Sequence, residues 1–262
     1  MTGGPGNVRA ERTTGCEVFV TTALLNGLAA SSALVIGAVI GTRWDLPKRV
    51  TGVLLAFASG ALVSALAFEL FEEAFALGGA IRSGIGLLAG AAAFVTTDTL
   101  LDHYIVGEPG PDEREVTREG ARGGVGWALL AAVTLDGIPE NLALGVSLAE
   151  GASLTLLIAI FASNLPEALV GSAAMRQEER STGAVLGIWF ACAVLLTVAV
   201  VLGRALGGAL SDDVLAVALG FAGGAVLASL ADTLMPEAFE HGRPLNAFAT
   251  AAGFFLSYVL AA

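Results

Sequence analysis

The chain has 262 residues, 55% of them hydrophobic and only 14% charged, against roughly 25% charge in an average soluble protein, so a soluble enzyme is excluded. Thirteen Lys and Arg face 24 Asp and Glu, for a net charge of −11, which excludes a nucleic-acid partner held by a basic patch. The two cysteines, Cys16 and Cys192, stand too far apart in terminal or apolar surroundings to make a disulfide framework or a thiolate metal site.

A membrane-spanning helix needs about 20 mainly apolar residues. In chain order such stretches lie at 18–40, 50–76, 83–101, 124–148, 152–175, 183–204, 213–236 and 245–262. They predict an all-α integral membrane protein of eight transmembrane helices, with the lipid bilayer as its surroundings. The first stretch is too long for a signal-peptide core and has no basic start directly before it, since Glu17 follows Arg9 and Arg12, so it reads as a retained helix. Residues 1–17 read as a disordered tail and 18–262 as one transmembrane domain. Residues 102–123, rich in Gly, Pro and acids, read as a flexible cytoplasmic loop.

Lys and Arg in short loops set orientation. Arg43, Lys48, Arg49, Arg114, Arg118, Arg122, Arg176, Arg180 and Arg243 fall after spans one, three, five and seven; Arg9, Arg12, Arg82 and Arg204 fall on the other side. This division predicts both termini outside a plasma-membrane protein.

Residues 55–75 (LAFASGALVSALAFELFEEAF) align without a gap on 219–239 (LGFAGGAVLASLADTLMPEAF), with 11 of 21 positions identical. The copies occupy spans two and seven, an odd number of crossings apart, and so run in opposite directions. Inverted repeats of this kind mark secondary transporters. A shorter echo joins Asp136-Gly137-Ile138-Pro139-Glu140 to Ser163-Asn164-Leu165-Pro166-Glu167 in the next span. The implied architecture is three helices, a central pair and three helices, with the outer triplets related by inversion.

The chemistry concentrates in that central pair. Residues four apart share a helix face, so Asp136 with Glu140, and Ser163 with Glu167, each aim at one point. An ionisable group at bilayer depth costs at least about 2.5–3.5 kcal/mol and marks a cation, a cavity or a partner. Pro139 and Pro166 free the carbonyls of Leu135 and Ala162. Carboxylates, an amide, a hydroxyl and carbonyls together suit a divalent cation. The plainer reading makes each proline a kink and each acid a protonated packing group. Glu69 and Glu73 at one mouth, and Asp232 and Glu237 at the other, read as cation-attracting vestibules or as ordinary interfacial acids.

Pro-Glu in two successive spans, each preceded by polar residues at three and four positions, resembles the ZIP family of divalent-metal transporters. The resemblance covers the chain past residue 17, and Pro139-Glu140 and Pro166-Glu167 are its specific parts. It implies that Glu140 and Glu167 are bridging ligands and that Asn164 is a ligand of a second metal. In the family's pattern Asp136 stands in place of His, Gly137 of Asn, Ser163 of His or Gln, and Asn141 and Ala168 of glycines. The metal-site residues expected are Asp136, Glu140, Ser163, Asn164 and Glu167, around one main site. Zinc is the family's default ion; loss of imidazole nitrogen shifts the ligand set toward manganese or another harder ion, with iron and cadmium also within the family's range. The metal is cargo, with no separate cofactor and no enzymatic activity expected, and a homodimer is compatible with this reading. Uptake follows from an inside-negative potential, worth about 4.6 kcal/mol per 100 mV for a divalent ion. The rivals are a carrier of another solute, a relative that no longer transports metal, and an intramembrane hydrolase, which would lack any HExxH motif here.

Overall fold

A computed structural model describes residues 5–44, 46–101, 125–148 and 154–261. The elements are α1 (Pro5–Gly41), α2 (Lys48–Ala65), a π-helical segment (Leu66–Phe71), α3 (Glu72–Leu101), α4 (Val125–Ser147), α5 (Leu154–Gln177), α6 (Thr182–Gly207), α7 (Asp212–Ser229), a second π-helical segment (Leu230–Leu234), α8 (Met235–Gly242) and α9 (Asn246–Ala261). Helix is the form an apolar chain takes where water is absent, because each backbone N–H and C=O is then satisfied within its own segment. Hydroxyls follow the same rule by bonding back one turn: Ser59 to Leu55 O (2.8 Å), Thr134 to Leu130 O (2.7 Å) and Thr197 to Ala193 O (2.8 Å). Ser181 caps α6 by accepting from the Ala184 N–H at 3.3 Å.

Five helices among the described residues are long and apolar enough to cross a bilayer: Val20–Gly41, Lys48–Leu100, Leu154–Gln177, Thr182–Gly207 and Asp212–Gly242. The chain is a multi-pass membrane protein. The expectation of eight transmembrane helices is corrected to these five. The expected second and third spans form one helical run of 53 residues, broken at Gly79 (φ 65°, ψ −177°) instead of by a loop. That left-handed backbone suits glycine, which has no Cβ to clash. The final apolar helix, 246–260, is too short to join the five. Helix α4 is not among them either, and the expected loop at 102–123 lies outside the described residues. Helix α1 begins at Pro5, well ahead of the tail boundary expected at residue 17.

The division into three, two and three helices is corrected as well, because the helices group by packing and not by chain order. Helices α1, α4, α5 and α6 pack on one another, whereas α3 pairs with α7 and α2 with α9. Between these groups lies a core that includes Leu62, Leu144, Leu156, Ile160, Leu215 and Leu219. Both π segments press leucines into it, Leu66 and Leu70 from the first, Leu230 and Leu234 from the second. A second core around Leu34, Val133, Met175, Trp189 and Leu196 is internal to the first group.

The 164-residue offset of the sequence repeat is visible in this packing. It relates Leu66 to Leu230 and Leu70 to Leu234, so the two π segments begin in the same register. A Cβ on Gly60 would meet the Thr250 carbonyl, and one on Gly253 the Phe57 carbonyl; at the equivalent places Gly224 approaches Leu87 and Gly90 approaches Phe221. Glycine at these four positions lets backbone touch backbone, which is how helices gain packing contact where lipid provides no hydrophobic drive.

The two copies start at opposite ends of the molecule. Arg176, in the last turn of α5, donates to Thr42 O at 3.5 Å, so α5 and α1 end side by side. Helix α2 starts at that end seven residues after Gly41, and α6 five residues after Gln177. The 26 residues of α6, at 1.5 Å each, carry the chain to the far end, where α7 begins.

Candidate metal site

Glu140 lies in α4 one residue after Pro139, and Glu167 in α5 one residue after Pro166. Both prolines are accommodated inside continuous helix, so the carboxylates stay in the packed part of the bundle instead of at helix ends. Glu140 is 4% exposed and Glu167 9%, with Ser163 and Asn164 at 2% each. Helices α4 and α5 pack directly on each other, and all four residues are buried within them. Ser163 donates its hydroxyl proton to Ile160 O at 3.0 Å, leaving its oxygen lone pairs as acceptors. The Nδ2 of Asn164 has no hydrogen-bond partner among the described residues. The side chain of Asp136, the fifth residue of the expected set, lies outside the described residues. Among the described residues no group of three or more His, Cys, Asp or Glu comes together as a metal-holding cluster.

Two buried neighbours escape sequence reasoning. Cys192, in α6, lies 3.6 Å from the Thr134 hydroxyl of α4, and the Glu167 carboxylate is near enough to act on its thiol electrostatically. No local pattern joins residue 192 to 134 or 167; only the packing of α4, α5 and α6 does. Asn141, fully buried, donates from Nδ2 to Gly137 O at 2.8 Å, while its Oδ1 has no hydrogen-bond partner among the described residues. Its signal was present as an amide in the position where a small residue was expected. Gly137 and Gly145, one turn to either side on the same face, lie against Leu196 and the Val200 carbonyl of α6, so Asn141 occupies the α4–α6 contact.

The residues expected at the mouths separate by element. Glu69 lies in the first π segment, half-buried, and Asp232 in the second, exposed. Glu73 is half-buried in the first turn of α3. Its repeat equivalent, Glu237 in α8, has His241 Nδ1 at 3.9 Å from its Oε1. By position along the helices Glu73 approaches the far end and Glu237 the end where α2 starts.

No protein-family model matches the chain, and no curated protein matches it. The functional reading therefore rests on the geometry and on the motifs themselves.

Proposed function

We propose that the chain carries divalent metal cations across the membrane, binding them between α4 and α5 through Glu140 and Glu167 with help from Asn164, Ser163 and Asp136. The observation that supports this best is the burial of two glutamates on adjacent helices, each one residue after an in-helix proline. Buried carboxylates are costly as anions, and a divalent ion passing between them offsets that cost. The surrounding α5 and α6 hold Lys or Arg only in their last turns, Arg176 and Arg204.

The resemblance of Pro139-Glu140 and Pro166-Glu167 to the ZIP family supports zinc as cargo, and the oxygen-rich donors extend the choice to manganese, iron or cadmium. The group of α1, α4, α5 and α6, which holds the site, moves against the group built on α2, α3, α7 and α9, exposing the site alternately to each side. The end carrying Arg43, Lys48, Arg49, Arg176 and Arg243 faces the cytoplasm, and transport runs inward down the membrane potential.

A carrier of another solute is the second reading. It is favoured by the lack, among the described residues, of any cluster of three metal-ligating acids, histidines or cysteines. Proteoliposomes offered zinc, manganese, iron(II) or cadmium separate the two. Metal accumulation in wild type, with loss of at least tenfold in Glu140→Ala and in Glu167→Ala, is the expected result. Wild-type vesicles that accumulate none of the four ions, or alanine variants that keep wild-type rates, would overturn the proposal.

A further inference from the structure

One end of the bundle gathers basic residues. Arg43 follows α1, Lys48 and Arg49 open α2, Arg176 and Arg180 lie in and just after the last turn of α5, and Arg243 follows α8. The first turns of α2 and the last turn of α8 touch, since a Cβ on Gly52 would meet the backbone of His241 and Gly242. Lys48 and Arg49 thus share a locality with Arg243, and all three are exposed. Arg243 lies over the Phe239 ring, 4.7 Å from its centroid, and Trp44 beside Arg43 is 59% exposed. The acids described at this end are Glu178, which pairs with Arg180 at 3.3 Å, Glu179, Glu237 beside His241 and Glu240.

The repeat contains its own control. The 164-residue offset places Lys48 opposite Asp212 and Arg49 opposite Asp213. Equivalent packing surrounds both starts: Gly52 lies against Gly242, and Ala216 against Gly78. Helix α7 opens on two acids, as the partial positive charge of a helix N-terminus favours, and Asp213 holds Arg82 at 2.9 Å. Helix α2, in the same register, opens on two cations with no acid in its first turn, and Pro47 provides no side-chain cap. Placing cations on the positive end of a helix dipole is unfavourable, and a chain of net charge −11 does not do it through general basicity. An anion from outside the chain reverses the sign of that interaction.

We propose that this end binds anionic phospholipid headgroups, with Lys48, Arg49 and Arg243 contacting the lipid phosphate. The exposed aromatics decide for lipid over free phosphate. Phe239 and Trp44 stand beside the cations at the end of a membrane-spanning bundle, where aromatic side chains occupy the headgroup layer.

The purified full chain, in detergent, is titrated with phosphatidylglycerol, phosphatidylcholine or inorganic phosphate, and binding is read by native mass spectrometry and thermal melting. Phosphatidylglycerol is expected to bind and raise the melting midpoint, with phosphatidylcholine at least tenfold weaker. Each surface cation is worth about a fivefold change in binding, so the combined K48Q/R49Q/R243Q variant should weaken phosphatidylglycerol by about a hundredfold. R82Q, at the far end, should bind as wild type does. Should the triple variant fail to fold, R243Q alone is expected to lose about fivefold. Equal binding of the two lipids, wild-type affinity in a folded triple variant or in R243Q, or inorganic phosphate binding as tightly as the lipid would each overturn the proposal.

Discussion

At Ser163 the hydroxyl proton is committed to the Ile160 carbonyl, leaving lone pairs that a cation can use, whereas Asn164 offers in an equally buried place an amide carbonyl oxygen, the commoner ligand of a divalent ion. Ser163→Ala is therefore expected to lower metal uptake by no more than about threefold and Asn164→Ala by about tenfold, each lost ligand being weighed as one hydrogen bond, the second to a charged group. Initial rates in proteoliposomes measure both, and equal effects would count against the difference in their roles. Much of this residue set was legible in sequence, because a proline followed by a glutamate inside an apolar helix is a local pattern. Cys192 was not, since its proximity to Glu167 depends on how α5 and α6 pack, and nothing in the residues flanking position 192 encodes that. Asn141 was visible only as a departure from a small residue. The structure gives the departure its meaning: a buried amide in a helix contact flanked by glycines.

The glycines divide into two kinds at the scale of the elements. Gly90 approaches the Phe221 carbonyl so closely that any side chain must push α3 from α7, whereas a Cβ on Gly84 or Gly187 meets nothing within 4 Å. Gly90→Ala is expected to destabilise by about 1–3 kcal/mol, the usual range for overpacking. Gly187→Ala is expected to stabilise by up to about 1 kcal/mol, through the better helix propensity of alanine. Thermal melting in detergent reads both, and a stabilising Gly90→Ala would refute the close contact. The π-helical segments were illegible in sequence for a physical reason. A π turn accommodates one additional residue within a helix, and Leu-Ala-Phe-Glu-Leu-Phe and Leu-Ala-Asp-Thr-Leu differ in no propensity from the α-helical residues around them. The repeat showed that the two segments correspond, but not that both depart from α geometry. The span count failed for a related reason: hydropathy marks apolar length and cannot see that Lys48–Leu100 is one helical run with a single glycine break.

Over the whole molecule, charge is sorted by end. Arg82 and Asp213 form the described ion pair between α3 and α7 at the far end, with side chains 49% and 59% exposed, and such a pair contributes about 1 kcal/mol at most after solvent screening. Arg82→Gln is accordingly expected to leave the melting midpoint almost unchanged at any salt concentration. A shift of several degrees would show that the pair anchors the two helices. At the other end Lys48, Arg49 and Arg243 are exposed, and these are the cations assigned to lipid.

The reciprocal backbone contacts also bear on how the molecule is made. Gly60 on α2 is completed by Thr250 on α9, and Gly253 by Phe57, so a surface laid down early in synthesis waits for residues added about 190 positions later. A ribosome adds on the order of 5–20 residues per second. For the tens of seconds that rate implies, the α2 face has no helix to close against, and only lipid or an insertion chaperone can cover it. Shortening the chain before Asn246 would make that interval permanent, turning a transient of biosynthesis into a substrate for membrane proteolysis.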